Sequence, residues 1–427
     1  MRDSAISGFY KKSPEERMEL VRVFADLTDE EVEAIANTGG TPMAIIDRMI
    51  ENVIGTFDLP LGIAVNFKVN GKDYLVPMAV EEPSVVAAAS NSAKTARIQG
   101  GFFGSCSDPV MIGQIQLTNV SDPVAAKMKI LGKREEIVEL ANAQDPVLVK
   151  FGGGARDIEV RVVNAMTGPM VVTHLLVDVR DAMGANAVNT MAEAVAPFLE
   201  ELTGGRVYLR ILSNLAIYRI ARAYAVFDRE ALGGEDVVDG IIQAYAFAAA
   251  DPFRAATHNK GIMNGSSSVV RATGNDTRAV ESGAHAYAAR SGVYMPLTWY
   301  EKNEDGDLVG SIEMPMPVGL VGGATKTHPV AKAAVKILGV KTAQELGMIV
   351  AVVGLAQNHA ALRALATEGI QRGHMGLHAR NTVAMAAEGI GVVPTPEEID
   401  QISAALVKEK KVRVDRAEEL IRELRGL

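Results

Sequence analysis

The chain has 427 residues, of which 48% are apolar, 22% charged and 5% aromatic, and a formal net charge of −9. That length points to about two or three domains, and the composition is globular, which excludes a disordered chain, a collagen-like fibre and a polar low-complexity protein. The acidic balance argues against nucleic acid or an anionic membrane as partner, and the single cysteine, Cys106, excludes an intramolecular disulfide or cysteine-rich metal site and fits a reducing cytoplasm.

No apolar run reaches the ~18–20 residues that span a bilayer. The longest, 346–356, reads as a buried helix. The first twelve residues (MRDSAISGFYKK) lack the apolar core of a signal peptide.

Ser13-Pro14-Glu15-Glu16 is a capping box with Pro at the first helical position, and Thr28-Asp29-Glu30-Glu31 repeats the device. Apolar residues at 43, 46, 49, 50 and 53 predict a helix over 42–54. Alternation over 63–69 and 73–80 around Asn70-Gly71 predicts a hairpin. A small-residue helix is expected over 85–96. From residue 109 the pattern changes: strand 110–117, helical stretch 122–142, strand 158–163, turn Thr167-Gly168, strand 170–179, helix 186–202, strand 206–212. That order is βαββαβ, a ferredoxin-like unit set inside a larger domain. Helix 237–250 follows, then a stretch rich in Asn, Gly, Ser and Thr over 251–276 that reads as a long loop. Asp305-Gly306 marks another hairpin turn, and alanine-rich helices are expected over 329–338 and 342–365. The tail from about Gly373 reads as a separable helical lid, with Thr395-Pro396-Glu397-Glu398 capping one of its helices.

The glycine signatures G-x-G-x-x-G and G-x-x-x-x-G-K-[ST] are missing; Gly152-Gly153-Gly154 and Gly322-Gly323 are incomplete. The turn at 181–186 (DAMGAN) joins a strand to a helix. It either offers a helix N-terminus to a phosphate or is an ordinary loop. Glu81-Glu82 ends a strand beside Pro83, where one carboxylate could act as an acid in a cleft or both could be solvated. Lys260, in His258-Asn259-Lys260, could hold a developing oxyanion with Asp276 orienting it, or belong to a surface salt bridge. His374 and His378 share a helix face but lack the Glu and further ligands of a metal site. A lid histidine could instead protonate a leaving group. Cys106 has no activating base nearby in sequence and reads as structural.

Together these segments resemble 3-hydroxy-3-methylglutaryl-coenzyme A reductase in its class II soluble prokaryotic branch. The stretches are ENVIGTFDLP (51–60), EEPSVVAAAS (81–90), VDVRDAMGAN (177–186), ILSNLA (211–216), DPFRAATHNKGIMNG (251–265), ATGND (272–276), MPMPVGLVGGATKTHP (314–329) and TEGIQRGHMGLHARN (367–381). They run in the family's order across almost the whole chain.

The resemblance implies an α+β fold. A large helix-rich substrate and dimerisation domain (1–108 and 214–372) would carry an inserted ferredoxin-like cofactor domain (109–213) and a C-terminal helical flap (373–427). It implies two successive hydride transfers interconverting HMG-CoA and mevalonate plus coenzyme A, through mevaldyl-CoA and mevaldehyde. By motif position the catalytic set is Glu82, Lys260, Asp276 and His374. Substrate contacts are Ser84, Arg254, Asn264, Asn214 and Gln357. Cofactor contacts are Asp145 and, in the 181–186 turn, Asp181, Ala182, Met183, Gly184 and Asn186. An acidic residue at 145 would accept from an adenosine ribose 2′-hydroxyl and repel a 2′-phosphate, so NADH is expected over NADPH. An obligate homodimer or a multiple of it is expected from ENVIG (51–55), an interface segment in the family, and the cysteine usage, charge and apolar runs above lead to the expectation of a cytoplasmic protein without membrane or nucleic-acid partner. The nearest rival is another NAD(P)-dependent acyl-CoA or aldehyde oxidoreductase on the same scaffold. A Lys260 Schiff-base lyase and a non-enzymatic CoA-binding module stand further off.

Overall fold

The computed structural model describes residues 3–37, 39, 41–367 and 369–426, with the side chains of 370–377 outside that description. The chain opens with α1 (Pro14–Ala25) and α2 (Asp29–Ala36), and both capping boxes form as expected. The helix expected over 42–54 stops after one turn, α3 (Met43–Ile46). Of its apolar positions only Ile46 is buried: Met43, Met49 and Ile50 are exposed, and Asn52 turns left-handed at φ 55°. A short helix without a packed face is marginal in water.

The hairpin forms between β1 (Leu61–Val69) and β2 (Lys72–Ala79), with Asn70 and Gly71 at φ 49° and 80° supplying the positive φ of a tight turn. Then come α4 (Val85–Ala96) and β3 (Phe102–Cys106).

After Cys106 the chain leaves the first sheet and builds a second. Its elements are β4 (Val110–Thr118), α5 (Pro123–Gly132), α6 (Arg134–Asn142), α7 (Pro146–Lys150), β5 (Gly154–Ala165), β6 (Gly168–Asp178), α8 (Ala185–Thr203) and β7 (Arg206–Ser213). The sheet order is β5-β6-β4-β7, antiparallel throughout. With β4 as its first strand this is the 2-3-1-4 order of a ferredoxin-like βαββαβ unit. Met111, Ile115, Leu117, Ile130, Ile137, Val188 and Met191 fill a core of its own.

The chain returns in β8 (Ile220–Phe227), which pairs with β3 from Phe102↔Ala225 to Cys106↔Ala221. The exit and re-entry strands are thus hydrogen-bonded neighbours. Next come α9 (Arg229–Leu232), α10 (Glu235–Ala250), α11 (Pro252–Ala272), α12 (Thr277–Ala288), β9 (Thr298–Lys302), β10 (Leu308–Pro315), α13 (Gly323–Thr327), α14 (Pro329–Leu338) and α15 (Ala343–Ala366). The first sheet runs β2-β1-β3-β8-β10-β9.

The stretch read as a loop over 251–276 is mostly the 21-residue helix α11. Asp251 caps it, accepting from the backbone of Phe253 (2.8 Å) and Arg254 (3.0 Å), with Pro252 at the first position. Its small polar residues serve close packing. A Cβ on Gly265 would stand 2.8 Å from the Val353 carbonyl of α15, and one on Gly354 would stand 2.5 Å from Ser266 Oγ. Composition that resembles a loop here lets two helix backbones meet.

Leu346 to His359 of α15 is continuously buried. Among the described residues α15 alone is long and apolar enough to cross a membrane, and 67% of its apolar window lies inside the protein. The tail folds as α16 (Ile370–Gly389), α17 (Pro396–Glu409) and α18 (Val414–Arg425), packed around Ala379, Val383, Ile402, Leu406 and Ile421.

Candidate active site

Two elements distant in sequence meet at Lys260. Its Nζ donates to Glu82 Oε2 at 3.0 Å, joining α11 to the turn between β2 and α4. Lysine 260 and Asn264 are four apart and share a helix face, and Arg254 lies at the start of the same helix. The face is fixed by its neighbours. Thr298 Oγ1 donates to Asn358 Oδ1 (3.1 Å) and so accepts from His258 Nε2 (2.6 Å). Asn259 clamps the loop before β9, donating to Met295 O (2.9 Å) and accepting from Leu297 N (3.0 Å). Burial pushes the His258 imidazole down to about 3, so it stays neutral.

Ser84, two residues beyond Glu82, holds φ 77° at the start of α4. A left-handed serine is a local strain that the surrounding packing sustains. The Arg254 guanidinium makes no ion pair among the described residues and is depressed by burial, which leaves a half-buried cation ready for an anionic ligand. Asp276 sits at the N-cap of α12, with Oδ1 accepting from Arg278 N (3.0 Å) and Ala279 N (3.2 Å). Asp276, expected to orient Lys260, makes no hydrogen bond to Lys260 or Glu82 among the described residues. One carboxylate oxygen is spent on orphan helix N–H groups, and Oδ2 has no partner among the described residues. Asn214 is pressed against α12, where a Cβ on Gly283 would strike its carbonyl. Gln357 lies on buried α15 facing Gly265, 6% exposed, with Oε1 unpartnered. The catalytic assignment of His374 falls on α16 at a side chain outside the described residues.

The 181–186 turn joins β6 to α8. Gly184 occupies the N-cap at φ 104° with no capping side chain, so the first-turn N–H groups of a 19-residue helix stay open. That arrangement suits a diphosphate, so these residues fit a dinucleotide. The turn is docked on the large sheet's side of the molecule. Asp181 O accepts from Leu320 N (2.8 Å) and Val321 N (3.2 Å), and Asp181 Oδ1 accepts from Ala343 N (2.7 Å) at the start of α15. Asp181 is therefore an anchor of the turn. Asp145 caps α7, accepting from Leu148 N at 2.9 Å.

The family model described as Hydroxymethylglutaryl-coenzyme A reductase matches residues 13–379. The chain belongs to that family. A 3-hydroxy-3-methylglutaryl-coenzyme A reductase of Archaeoglobus fulgidus is 61% identical over 423 residues, covering 99% of this chain and 95% of the relative. A probable reductase of Borreliella burgdorferi is 38% identical over 78% of this chain and 76% of its own length. Among solved structures, the class II reductase of Streptococcus pneumoniae, bound to NADPH in open conformations, superimposes with TM-score 0.82 at 42% identity over 84% of this chain and 99% of that one. A second structure of the Streptococcus pneumoniae enzyme gives TM-score 0.83 at 40% identity over 98% and 99%.

Within this hydroxymethylglutaryl-coenzyme A reductase fold, sequence reasoning missed the residues that join the 181–186 turn to the segment beside Asp276. Asn275 Oδ1 accepts from Gly319 N (2.7 Å), and Gly319 abuts the backbone of Ala182 and Met183. Both lie inside matched motifs, which was the available signal. Arg219, which bonds the same turn, carried no sequence signal. A groove of about 700 Å³ beside Phe103, Tyr224 and Trp299 on the large sheet contains none of the expected site residues.

Proposed function

We propose that this chain is a hydroxymethylglutaryl-coenzyme A reductase. On this reading it interconverts (S)-HMG-CoA and (R)-mevalonate plus coenzyme A in two hydride transfers, by way of mevaldyl-CoA and mevaldehyde. The observation that carries the reading is the Lys260–Glu82 pair at 3.0 Å, held on the helix that also bears Arg254 and Asn264. A bound nicotinamide supplies the hydride. Lys260 holds the oxyanion that grows on the thioester oxygen, where an ammonium aimed at developing charge has most effect. Glu82 moves a proton to and from that oxygen. Asp276, through its free Oδ2, tunes the pair. His374, carried by α16, protonates the departing CoA thiolate, and closure of the flap excludes water at the aldehyde stage.

Arg254 clamps the HMG carboxylate, because a guanidinium and a carboxylate pair bidentately. Ser84, Asn264 and Asn214 hold its polar groups, and Gln357 supports the CoA side from the interior. Residues 1–108 and 214–372 form the substrate part, 109–213 the cofactor part and 373–427 the flap, a division supported by their separate cores. Ala182, Met183, Gly184 and Asn186 face the dinucleotide. Asp145 favours NADH, since a carboxylate repels a 2′-phosphate. The Streptococcus pneumoniae relative is described with NADPH, so the preference rests on Asp145 and not on the fold.

We also assign a cytoplasmic homodimer. The support is an extended, solvent-facing 51–60 segment, with Ile54 99% and Phe57 93% exposed, which a partner protomer would cover. The deciding assay for the reaction is stoichiometry. Two reduced nicotinamides should be oxidised per HMG-CoA consumed, with mevalonate as product. A ratio of one, with an aldehyde released, would instead support the acyl-CoA reductase alternative.

A further inference from the structure

We propose that Arg219 is a positioning residue for the nicotinamide cofactor, pinning the 181–186 turn to the Val318–Gly319 segment that bonds Asn275 beside Asp276. The proposal rests on that turn being the cofactor site.

Arg219 closes the return connection from the second sheet, just before β8, and is 5% exposed. Its Nη1 donates to Ala182 O (3.0 Å) and Met183 O (3.2 Å), and its Nη2 donates to Val318 O (2.5 Å). Its own carbonyl accepts from Met316 N at 2.9 Å. All of its side-chain hydrogen bonds run to main-chain carbonyls, and among the described residues it forms no ion pair. Burial draws the guanidinium down to about 10, with Asp178 and Asp181 acting on it only through space, so it remains a cation at neutral pH.

A buried cation without a bonded carboxylate is a costly way to fill space, and an apolar side chain would be cheaper. What arginine supplies is a rigid planar fork that spans two backbone segments at once. One segment is the turn. The other continues into Gly319, whose missing Cβ would lie 2.8 Å from Ala182 C. Gly319 N donates to Asn275, the neighbour of Asp276. The path therefore runs from the turn through Arg219, Val318 and Gly319 to Asn275 and the Asp276 cap of α12. Loosening the fork should let the dinucleotide shift while HMG-CoA, held by α11 and the Glu82 turn, keeps its place.

The test uses the full-length enzyme, with NADH affinity by titration and KM for both substrates. Arg219→Gln should weaken NADH by about tenfold or more, the worth of charge-assisted hydrogen bonds, with less than about a twofold change in KM for HMG-CoA. Arg219→Lys, which keeps the charge but loses the fork, should fall between. Gly319→Ala crowds the same turn from the other side and should give the same split. If Arg219→Gln does not fold, the other two variants decide. Asn186→Asp sets a carboxylate at the exposed α8 N-terminus, where a diphosphate would lie. If it leaves NADH affinity unchanged, the turn is not the cofactor site and the proposal falls with that reading. If it weakens NADH while the Arg219 and Gly319 variants do not, or if these variants raise both KM values alike, Arg219 is merely structural and the proposal is overturned.

Discussion

At the scale of single residues, some groups bind and others hold the fold. Asp145 does both: it caps α7 through Leu148 N and is assigned to the ribose. Asp145→Asn keeps an effective cap and removes the charge, so α7 should survive while the NADH-over-NADPH ratio of kcat/KM drops by about tenfold, roughly one lost charge-assisted contact. An unchanged ratio would remove Asp145 from cofactor choice. Buried His258 and His359 make a different prediction. Burial holds both at about 3, below their usual 6.5. Below pH 6.5 the unfolded chain takes up protons that the folded chain refuses, so stability is present above that pH and drains away down toward 3. Each histidine should lower stability steadily as the pH falls through that window. Thermal melts from pH 7 to 5 should show Tm falling. His359→Phe, which retains a ring against Phe227, should flatten the slope, and an equally steep slope would contradict the assignment.

At the scale of elements, the α11–α15 contact places Lys260, and its glycines are not equivalent. A Cβ on Gly261 meets nothing within 4 Å, while one on Gly265 meets Val353 O and Gln357 Cβ at 2.8 Å. Gly261→Ala should stabilise by about 0.5–1 kcal/mol through helix propensity. Gly265→Ala should destabilise by about 1–3 kcal/mol through overpacking. Denaturant midpoints that move in the same direction would refute the close-packing account. This contact also shows where sequence is legible. Local devices read correctly, because the physics of the Asn70-Gly71 turn and of the Ser13, Thr28 and Thr395 capping boxes lies within a few residues. Helix α11 was hidden because Gly265 and Ser266 meet a partner helix some 85 residues on, while the hydroxyls of Ser267 and Ser268 are taken up by Glu281 of α12 and by the Asn264 carbonyl. The helix expected over 42–54 failed for the converse reason, an apolar face with no partner. Strands β3 and β8 pair across the whole second sheet, and nothing local announces them.

At the scale of the molecule, the proposed site draws on parts of one chain that sequence order keeps apart: the turn after β2, α11, the cap of α12 and the 181–186 turn. Motif resemblance named most of these residues. It did not show that Asp276 is partly committed to α12, that Gln357 is buried, or that Arg219 and Asn275 couple the parts, since these depend on three-dimensional packing. The exposed 51–60 segment adds a prediction. Ile54→Asp with Phe57→Asp should convert the dimer to monomer in light scattering and lower activity; a wild-type mass for the double variant would contradict the assigned interface. The central claim is that Lys260, paired with Glu82, carries the oxyanion. The most direct measurement is the initial rate of NADH oxidation with HMG-CoA for wild type and Lys260→Ala. Lys260 is largely exposed, so the variant should fold normally and lose about a hundred- to thousandfold or more in kcat. A folded variant that retains wild-type kcat would contradict the account.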